Sequence, residues 1–463
     1  MQGGAYGMIR TLHGIVWGPV LLTLLLAVGI IYTFRSGGFQ ILGIKIWWKE
    51  TVGSFFRHSN HSGHDAENYV SKTQAACTAL AATIGTGNIV GVATALTAGG
   101  PGAIFWMWIS AVIGMATAYG ETWLGLKYRY KNQKGIWVCG PAVYISKGLH
   151  MPGLGIIYGV LCLLASLGMG SMVQSNAVAQ TIEFSTGIPP IICAVIITSV
   201  TCCVVVGGIS RIAQVTEHLI PWAAGIYMGF SFMILVLCYR QIPGALKEIF
   251  RCALIPEAIL GGVGGYGLSR GFRYGIARGV FSNEAGLGSL AGLHGATEDT
   301  TPEEQGMWAM FEVFFDTIVI CTLTALVILC VTGGNLSGQY GDGAVLTARC
   351  FGTVLGKLGE YLVSASMIIF AFATMIAWFF LGRQTLEAVM EQISRRIPLS
   401  EEWRKKIRLG YLFLYGYAVF LGCVSNLTAV WELSDIWNGM MAFPNILALL
   451  LLRRQVGYPG RKH

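Results

Sequence analysis

Long apolar segments with few charged residues recur along the whole chain and constrain its fold more than any other feature. Four clear examples lie at residues 153–182, 190–207, 213–238 and 409–424. One membrane-spanning helix requires about 20 apolar residues. Charged residues make up only 12% of the chain, against roughly 25% in soluble domains. The sequence therefore predicts an all-α membrane protein in which residues 1–463 form a single transmembrane domain.

The same pattern predicts about eleven transmembrane helices. The first apolar segment is too long for a secretory signal and is not followed by a small-x-small cleavage site, so we interpret it as a retained membrane helix. A multi-pass protein of the cell membrane is therefore expected. The predicted spans are 13–34, 73–98, 103–127, 153–182, 190–207, 213–238, 274–297, 306–332, 358–381, 409–424 and 430–452.

The distribution of Lys and Arg predicts the orientation of these helices, because basic residues concentrate in cytoplasmic loops. With the N-terminus outside, 22 basic residues fall on the cytoplasmic side and 8 on the external side, while Arg278 falls inside a span. The external segment 239–273 is the main region that argues against this arrangement. The count predicts an external N-terminus and a cytoplasmic C-terminus.

Composition also excludes several classes of function. The formal charge of +8 is spread over loops rather than gathered on one basic face, so no nucleic-acid partner is expected. The 12 cysteines are scattered without a Cys-x-x-Cys pair, which is typical of small packing residues. His58, His61, His64 and Asp65 lie in a polar loop, which favours a solvated loop over a metal site. An enzyme is the least favoured class, and neither an organic cofactor nor a resident metal is expected.

Two glycine motifs indicate an internal repeat. GTGNIVG occupies residues 85–91 and GLGSLAG occupies residues 286–292, and both follow the pattern G-x-G-x-x-x-G. The same 201-residue shift also places Pro101 on Pro302. Five predicted spans separate the starts of the two units, and an odd number inverts the second unit in the membrane. We therefore predict two inverted five-helix repeats, at 71–240 and 271–453 with the C-terminal tail, after an extra N-terminal helix and cytoplasmic loop at 1–70.

Glycine clusters in the middle of a span favour an interrupted helix, since glycine costs about 1 kcal/mol relative to alanine in a helix. Free backbone groups at membrane depth are tolerated where they line a cavity, and paired interruptions in two halves of a chain are typical of a transporter's binding site. Close helix packing through glycine is the alternative interpretation. A nucleotide-binding loop is excluded, because the spacing differs from G-x-G-x-x-G and no strand precedes the motif.

Three long motifs resemble the alanine or glycine:cation symporter family, also called the sodium:alanine symporters. They are GTGNIVGVATALTAGGPGAIFWMW at 85–108, RGVFSNEAGLGS at 278–289 and QGMWAMFEVFFDTIVICTLTALVIL at 305–329. The resemblance implies a leucine-transporter type of fold and secondary active transport of small neutral amino acids. The segments 140–144, 289–291 and 379–383 depart from the usual family pattern, so the preferred amino acid stays open.

The first glycine motif supplies the leading candidates for substrate binding. Gly85, Thr86, Gly87 and Asn88 are expected to form a helix break. Its free N–H groups favour a substrate carboxylate, and its free carbonyls favour Na⁺ or an ammonium group. The Asn88 amide is then an added ligand, or alternatively an interhelical hydrogen bond.

Three further candidates come mainly from the resemblance. It places Gln174 against the substrate, although a role in holding helices together fits the sequence equally well. Thr374 and Trp378 are four residues apart and share one helix face. The resemblance places this face on the pocket, with the Thr374 hydroxyl near substrate or Na⁺ and the Trp378 indole limiting the size of the substrate side chain. Core packing is the alternative for this pair.

Acidic residues inside the spans are candidates for a cation or gating role, because a charge near mid-membrane costs on the order of 3 kcal/mol unless it is paired. Glu284 is expected either to pair with Arg278 or to carry a proton. Glu312 and Asp316 lie four residues apart and fit a gate, a proton path or an interfacial structural role.

The leading functional prediction is symport of alanine or glycine into the cell by alternating access, with Na⁺ as the coupling ion and the lipid bilayer as surroundings. A proton-coupled carrier, for example of glutamine or serine, is the close alternative. A channel is the alternative from another class, and no segment resembles a selectivity filter.

Overall fold

The computed structural model describes residues 2–55, 71–132, 135–254, 263–336, 341 and 343–459. The N-terminal part is a kinked helix followed by three short helices. Tyr32, on the long second helix, donates a hydrogen bond of 2.9 Å to the Leu449 carbonyl near the end of the chain, so this extra segment packs against the rest of the protein. The helices are α1 Gln2–Val16, α2 Pro19–Ser36, α3 Phe39–Leu42, α4 Ile44–Glu50 and α5 Val52–Phe55.

The next part of the chain contains the helices of five predicted spans and a short antiparallel hairpin, β1 Tyr130–Lys131 with β2 Trp137–Val138. A 3-10 turn, Thr86–Asn88, and a π-helical segment, Gly168–Val173, interrupt two of the spans. The helices are α6 Lys72–Thr83, α7 Val90–Gly99, α8 Gly102–Tyr128, α9 Pro141–Gly148, α10 Pro152–Leu167, α11 Gln174–Thr186, α12 Pro190–Val205, α13 Gly208–Leu237 and α14 Ile242–Leu254.

The last part again contains a broken helix and a π-helical segment, Phe314–Cys321. Short 3-10 turns at Tyr239–Gln241 and Arg453–Gln455 lie just before α14 and just after the last helix. The remaining helices are α15 Val263–Asn283, α16 Ser289–His294, α17 Pro302–Val313, α18 Thr322–Thr332, α19 Gly343–Leu355, α20 Lys357–Ser394, α21 Glu401–Val424 and α22 Leu427–Leu452.

The predicted spans correspond to these helices. Among the described residues, eight helices are long and apolar enough to cross a membrane, and the bent pair α6 and α7 makes a ninth. The other two predicted spans are α12, which has 16 residues, and the broken pair α15 and α16. Two helices lie outside the predicted spans, α14 after α13 and α19 before α20.

Both glycine motifs interrupt helices, as their sequences predict. The first separates α6 from α7, whose axes differ by 52°. The second separates α15 from α16, and there Glu284, Gly286 and Gly288 all have positive φ angles, of 59°, 88° and 88°. A positive φ is costly for residues other than glycine. The glycines thus relieve strain at two positions of the second break, and Glu284 retains it.

Candidate functional site

The first helix break is fully buried and is closed by side-chain amides. The Gly85 N–H donates to Asn88 Oδ1 at 2.9 Å, and the Thr86 N–H donates to Gln174 Oε1 at 3.2 Å. These N–H groups have lost their helical acceptors, so amide oxygens replace them. The structure therefore brings the predicted residues of the break together with Gln174 from α11.

The glycines of this break are required by close packing. A Cβ atom at Gly85 would lie 2.6 Å from Thr374 Oγ1 and 3.2 Å from Gln174 Oε1. At Gly87 it would lie 2.9 Å from the Ser282 Cα atom on α15. At Gly91, apart from its chain neighbours and the backbone of its own helix, no atom of the described residues lies within 4 Å of the corresponding position. The first two glycines therefore allow three other helices to approach the break, whereas the third does not.

One face of α20 contacts both breaks. Thr374 Oγ1 lies 2.7 Å from the Ala81 carbonyl oxygen at the end of α6 and 3.0 Å from the Phe370 carbonyl oxygen. One turn further on, Trp378 Nε1 donates to Glu284 Oε1 at 2.9 Å. The predicted pair therefore spans the gap between the two interrupted helices, as a shared helix face requires.

The freed backbone groups of the second break are bonded to buried side chains from α8 and α22. Glu121 Oε2 accepts hydrogen bonds from the Gly288 N–H and from Asn445 Nδ2, both at 3.1 Å. Asn445 Nδ2 also donates to the Gly286 carbonyl at 2.9 Å. Glu121 and Asn445 thus hold the break in shape by satisfying both a donor and an acceptor.

Asp316 lies beside the first break, in the π-helical segment between α17 and α18. Its Oδ1 accepts from Asn88 Nδ2 at 2.6 Å and from Ser282 Oγ at 3.1 Å, and its Oδ2 accepts from Thr317 Oγ1 at 2.8 Å. The carboxyl group is fully buried. Within the described part of the chain, all of its hydrogen-bond donors are neutral. π-Helical segments occur frequently at functional sites, and this one turns an acidic side chain towards the helix break.

The expected pairing of Arg278 with Glu284 is wrong. Arg278 instead forms a two-pronged ion pair with Asp435 of α22, with Nη2 to Oδ2 at 2.9 Å. His13 of α1 approaches the same carboxylate, at 3.2 Å. The reason is geometric, because α15 ends between Arg278 and Glu284 and the chain then turns away.

Glu312 forms a separate cluster one turn before Asp316. Its Oε2 lies 3.0 Å from His294 Nε2, and His294 Nδ1 lies 2.7 Å from Gln305 Oε1. All three side chains are fully buried. The predicted pair of acids therefore divides between two environments, with Asp316 at the first break and Glu312 against α16.

Sequence reasoning missed several residues that bond either to a break or to one of the charged residues that it had selected. Glu121, Asp435 and His294 are ionisable side chains within predicted spans, and that signal was sufficient to select them. Ser282 and Thr317 carried no such signal, because hydroxyl side chains are common in membrane helices.

The histidine-rich segment is a different case. His58, His61, His64 and Asp65 lie outside the described residues. Within the residues that the structure does describe, no group of three or more His, Cys, Asp or Glu side chains could hold a metal ion.

Two interrupted helices that meet at a buried polar centre, bridged by one long helix, define a secondary transporter of the leucine-transporter type. The fold is also that of a solved Na⁺-coupled sialic acid symporter, with a TM-score of 0.54 and 12% identity over 96% of this chain and 98% of that one.

Sequence comparison identifies the family. The chain matches the sodium:alanine symporter family over residues 4–458 and belongs to it. It is 38% identical to the sodium/alanine symporter AgcS of Methanococcus maripaludis, over 96% of this chain and 94% of that protein. It is 36% identical to an uncharacterised transporter of Haemophilus influenzae, over 97% and 94%. The protein is therefore a multi-pass membrane transporter and not an enzyme.

Proposed function

We propose that the protein couples the entry of Na⁺ to the uptake of small neutral amino acids, with alanine and glycine as the principal substrates. Family membership and the similarity to a sodium/alanine symporter support this assignment. The observation that carries it is the arrangement of oxygen atoms around Thr374.

Three backbone carbonyl oxygens lie around the Thr374 hydroxyl. This hydroxyl lies 2.7 Å from the Ala81 carbonyl, 3.0 Å from the Phe370 carbonyl and 3.4 Å from the Ile84 carbonyl. Ala81 and Ile84 lie at the C-terminal end of α6, where the helix dipole is negative. Carbonyls of unwound helices coordinate Na⁺ in transporters of this construction. We therefore place a Na⁺ site at Thr374.

We place the substrate at the adjoining part of the first break. The N–H groups of Gly85 and Thr86 are bonded to amide oxygens, which resemble a carboxylate as acceptors. Thr86 Oγ1 is buried and has no hydrogen-bond partner within the described part of the chain. A substrate carboxylate that displaced the Gln174 amide would engage both groups of Thr86, while Gly87 and Asn88 complete the turn.

Trp378 restricts the size of the substrate. Its indole is fully buried, and a Cβ atom at Gly170 would lie 2.5 Å from Trp378 Cβ, so α20 and the neighbouring π-helical segment are in direct contact. The hydrogen bond to Glu284 further fixes the ring. A substrate site bounded by this fixed ring would favour a hydrogen or methyl side chain over a larger one.

A second cation position at Asp316 follows from its charge. A buried carboxylate whose partners are neutral is costly unless a cation balances it. Na⁺ bound to the Asp316 carboxylate, in place of the hydrogen bond from Asn88 Nδ2, would supply that charge. Glu284, at the second break, is the other acidic residue predicted for a cation or gating role.

Proton coupling is the second candidate function, and one observation favours it. Glu312 Oε1 is buried without a hydrogen-bond partner among the residues described. A proton on this oxygen, or on the adjacent His294, would provide an alternative coupling ion.

The topology belongs to the same proposal. With 22 basic residues on one side and 8 on the other, the N-terminus lies outside and the C-terminus in the cytoplasm. Residues 71–240 and 271–453 form the inverted repeats, and each contains one of the two breaks. Alternating access then results from movement of one repeat against the other.

Binding of tritiated L-alanine to the purified protein tests the Na⁺ site, with K⁺ replacing Na⁺ at constant ionic strength. We expect binding to require Na⁺. Thr374→Val keeps the shape of the side chain but removes one oxygen ligand, worth about 1 kcal/mol, so the Na⁺ concentration needed for half-maximal alanine binding should rise about fivefold.

Thr385→Val is the matched control. This variant also replaces a buried threonine of α20 by valine. The Thr385 hydroxyl, however, contacts Cys162 rather than a helix break. Equal Na⁺ requirements in the two variants, or alanine binding without Na⁺, would contradict the proposed site.

A further inference from the structure

A cavity of about 240 Å³ lies between the end of α12 and the helices α20 and α21, away from both breaks. Its walls are mainly apolar and include Phe379, Leu386 and Leu412. Val206 and Leu409 also line it and are 67% and 55% exposed. Exposed apolar side chains on a membrane protein face lipid, so the cavity opens towards the bilayer.

Three basic side chains, Arg383, Lys405 and Arg408, line the same cavity, and none of the described residues that line it is acidic. Arg408 is neutralised by a two-pronged ion pair with Glu387, with Nη2 to Oε2 at 2.9 Å. Arg383 is half-buried, and neither it nor Lys405 has a hydrogen-bond or ion-pair partner among the described residues. The cavity thus holds two uncompensated positive charges beside an apolar wall.

The position of these charges matches the level of lipid headgroups. Arg383 lies two residues beyond the predicted span 358–381, and Arg408 lies one residue before the predicted span 409–424. The segment between these two predicted spans contains seven of the basic residues that determine the proposed cytoplasmic side, counted from Arg383 to Arg408. The apolar wall continues from there towards the membrane centre.

We propose that this cavity is a binding site for an anionic phospholipid of the cytoplasmic leaflet. Arg383 and Lys405 bind the phosphate of the headgroup, and the first part of one acyl chain lies against Leu409, Leu412 and Val206. Basic pockets between transmembrane helices on the cytoplasmic side have the chemistry to bind such headgroups. Phe379 follows Trp378 directly on α20, so a lipid here contacts the helix that bridges the two breaks.

Native mass spectrometry of the purified protein tests the proposal, with dioleoyl phosphatidylglycerol and dioleoyl phosphatidylcholine added at equal concentrations. Wild type should retain the anionic lipid preferentially. Each basic side chain near an anionic lipid changes affinity about fivefold, so Arg383→Gln with Lys405→Gln should weaken retention roughly 25-fold. Lys405→Gln alone changes only an exposed residue, and it should weaken retention of the anionic lipid about fivefold.

The matched control is Arg396→Gln with Lys406→Gln. It removes the same charge from the same segment, but neither residue lines the cavity, and Lys406 pairs with Glu402 at 2.7 Å. This variant should keep the preference of wild type. Three outcomes would overturn the proposal: equal retention of both lipids by wild type, equal loss in the test and control variants, or displacement of the lipid by excess inorganic phosphate, which would indicate a site for free phosphate instead.

Discussion

Asp316 is the residue whose environment demands the most explanation. It is fully buried, it accepts hydrogen bonds from Asn88, Ser282 and Thr317, and all of these donors are neutral. Neutral donors lower the cost of burying a charge but do not remove it. Such an arrangement is expected where the balancing charge arrives with the transported cation.

Asp316→Asn should therefore separate function from stability. The amide keeps the size of the side chain but loses the charge, and a buried ion pair broken at one partner costs about 3 kcal/mol. Na⁺-driven uptake should fall roughly 100-fold. The melting temperature should stay the same or rise, since an uncompensated charge is removed.

Uptake and thermal unfolding of the same preparations check this prediction. Asn283→Ala is a useful comparison, because Asn283 donates to Thr317 rather than to the carboxylate. Near-normal uptake by Asp316→Asn, or a large fall in its melting temperature, would show that Asp316 is only structural.

Individual contacts were the hardest feature to predict from sequence. The spacing of four residues correctly placed Thr374 and Trp378 on one face of α20, because helix periodicity is local. The partner of Arg278 was wrong, since Asp435 lies 157 residues away on α22 and no local pattern connects the two. Gln174 and Asn88 both form hydrogen bonds between helices, which was the alternative interpretation for each, and their contact with substrate stays a prediction.

At the scale of helices, the two breaks determine the architecture of the centre. The first break contacts α11, α15 and α20 at distances that leave no room for a side chain at Gly85 or Gly87. The second break is held by Glu121 and Asn445. Each interrupted helix is thus fixed by neighbours that satisfy its backbone rather than by its own helical hydrogen bonds.

Gly85→Ala and Gly91→Ala should behave differently although they belong to one motif. The methyl group at Gly85 would lie 2.6 Å from Thr374 Oγ1, whereas that at Gly91 meets no atom within 4 Å. Overpacking costs about 1–3 kcal/mol, so alanine binding to Gly85→Ala should weaken roughly tenfold or more. Gly91→Ala should bind normally and be more stable by up to about 1 kcal/mol.

Alanine binding and melting temperature, measured on both variants, check this contrast. Equal loss of binding in the two would mean that the whole motif serves helix packing.

The glycine pattern also shows what the sequence could and could not predict about the helices. Glycines in register, 201 residues apart, predicted both interruptions because backbone freedom is recorded in the residue type itself. The π-helical segments at Gly168–Val173 and Phe314–Cys321 were not predicted, since a single extra residue in a helical turn leaves little trace in an apolar sequence. They place Gln174 and Asp316 at the site.

At the scale of the whole molecule, α20 links the two halves. Thr374 contacts the end of α6, in the proposed first repeat, and Trp378 contacts Glu284, in the proposed second repeat. In the proposed transport cycle, movement of one repeat against the other would change the contact between Thr374 and Ala81. A Na⁺ ion at that position would bind both repeats at once. Its binding would therefore favour the conformation in which Thr374 and Ala81 are close together.

Uptake of radiolabelled L-alanine into proteoliposomes tests this account most directly, first with an inward Na⁺ gradient, then with K⁺ in place of Na⁺, then with an imposed proton gradient. We predict accumulation above equilibrium only when the Na⁺ gradient is present. Accumulation driven by the proton gradient in the absence of Na⁺ would contradict the account and assign the coupling to Glu312 and His294 instead.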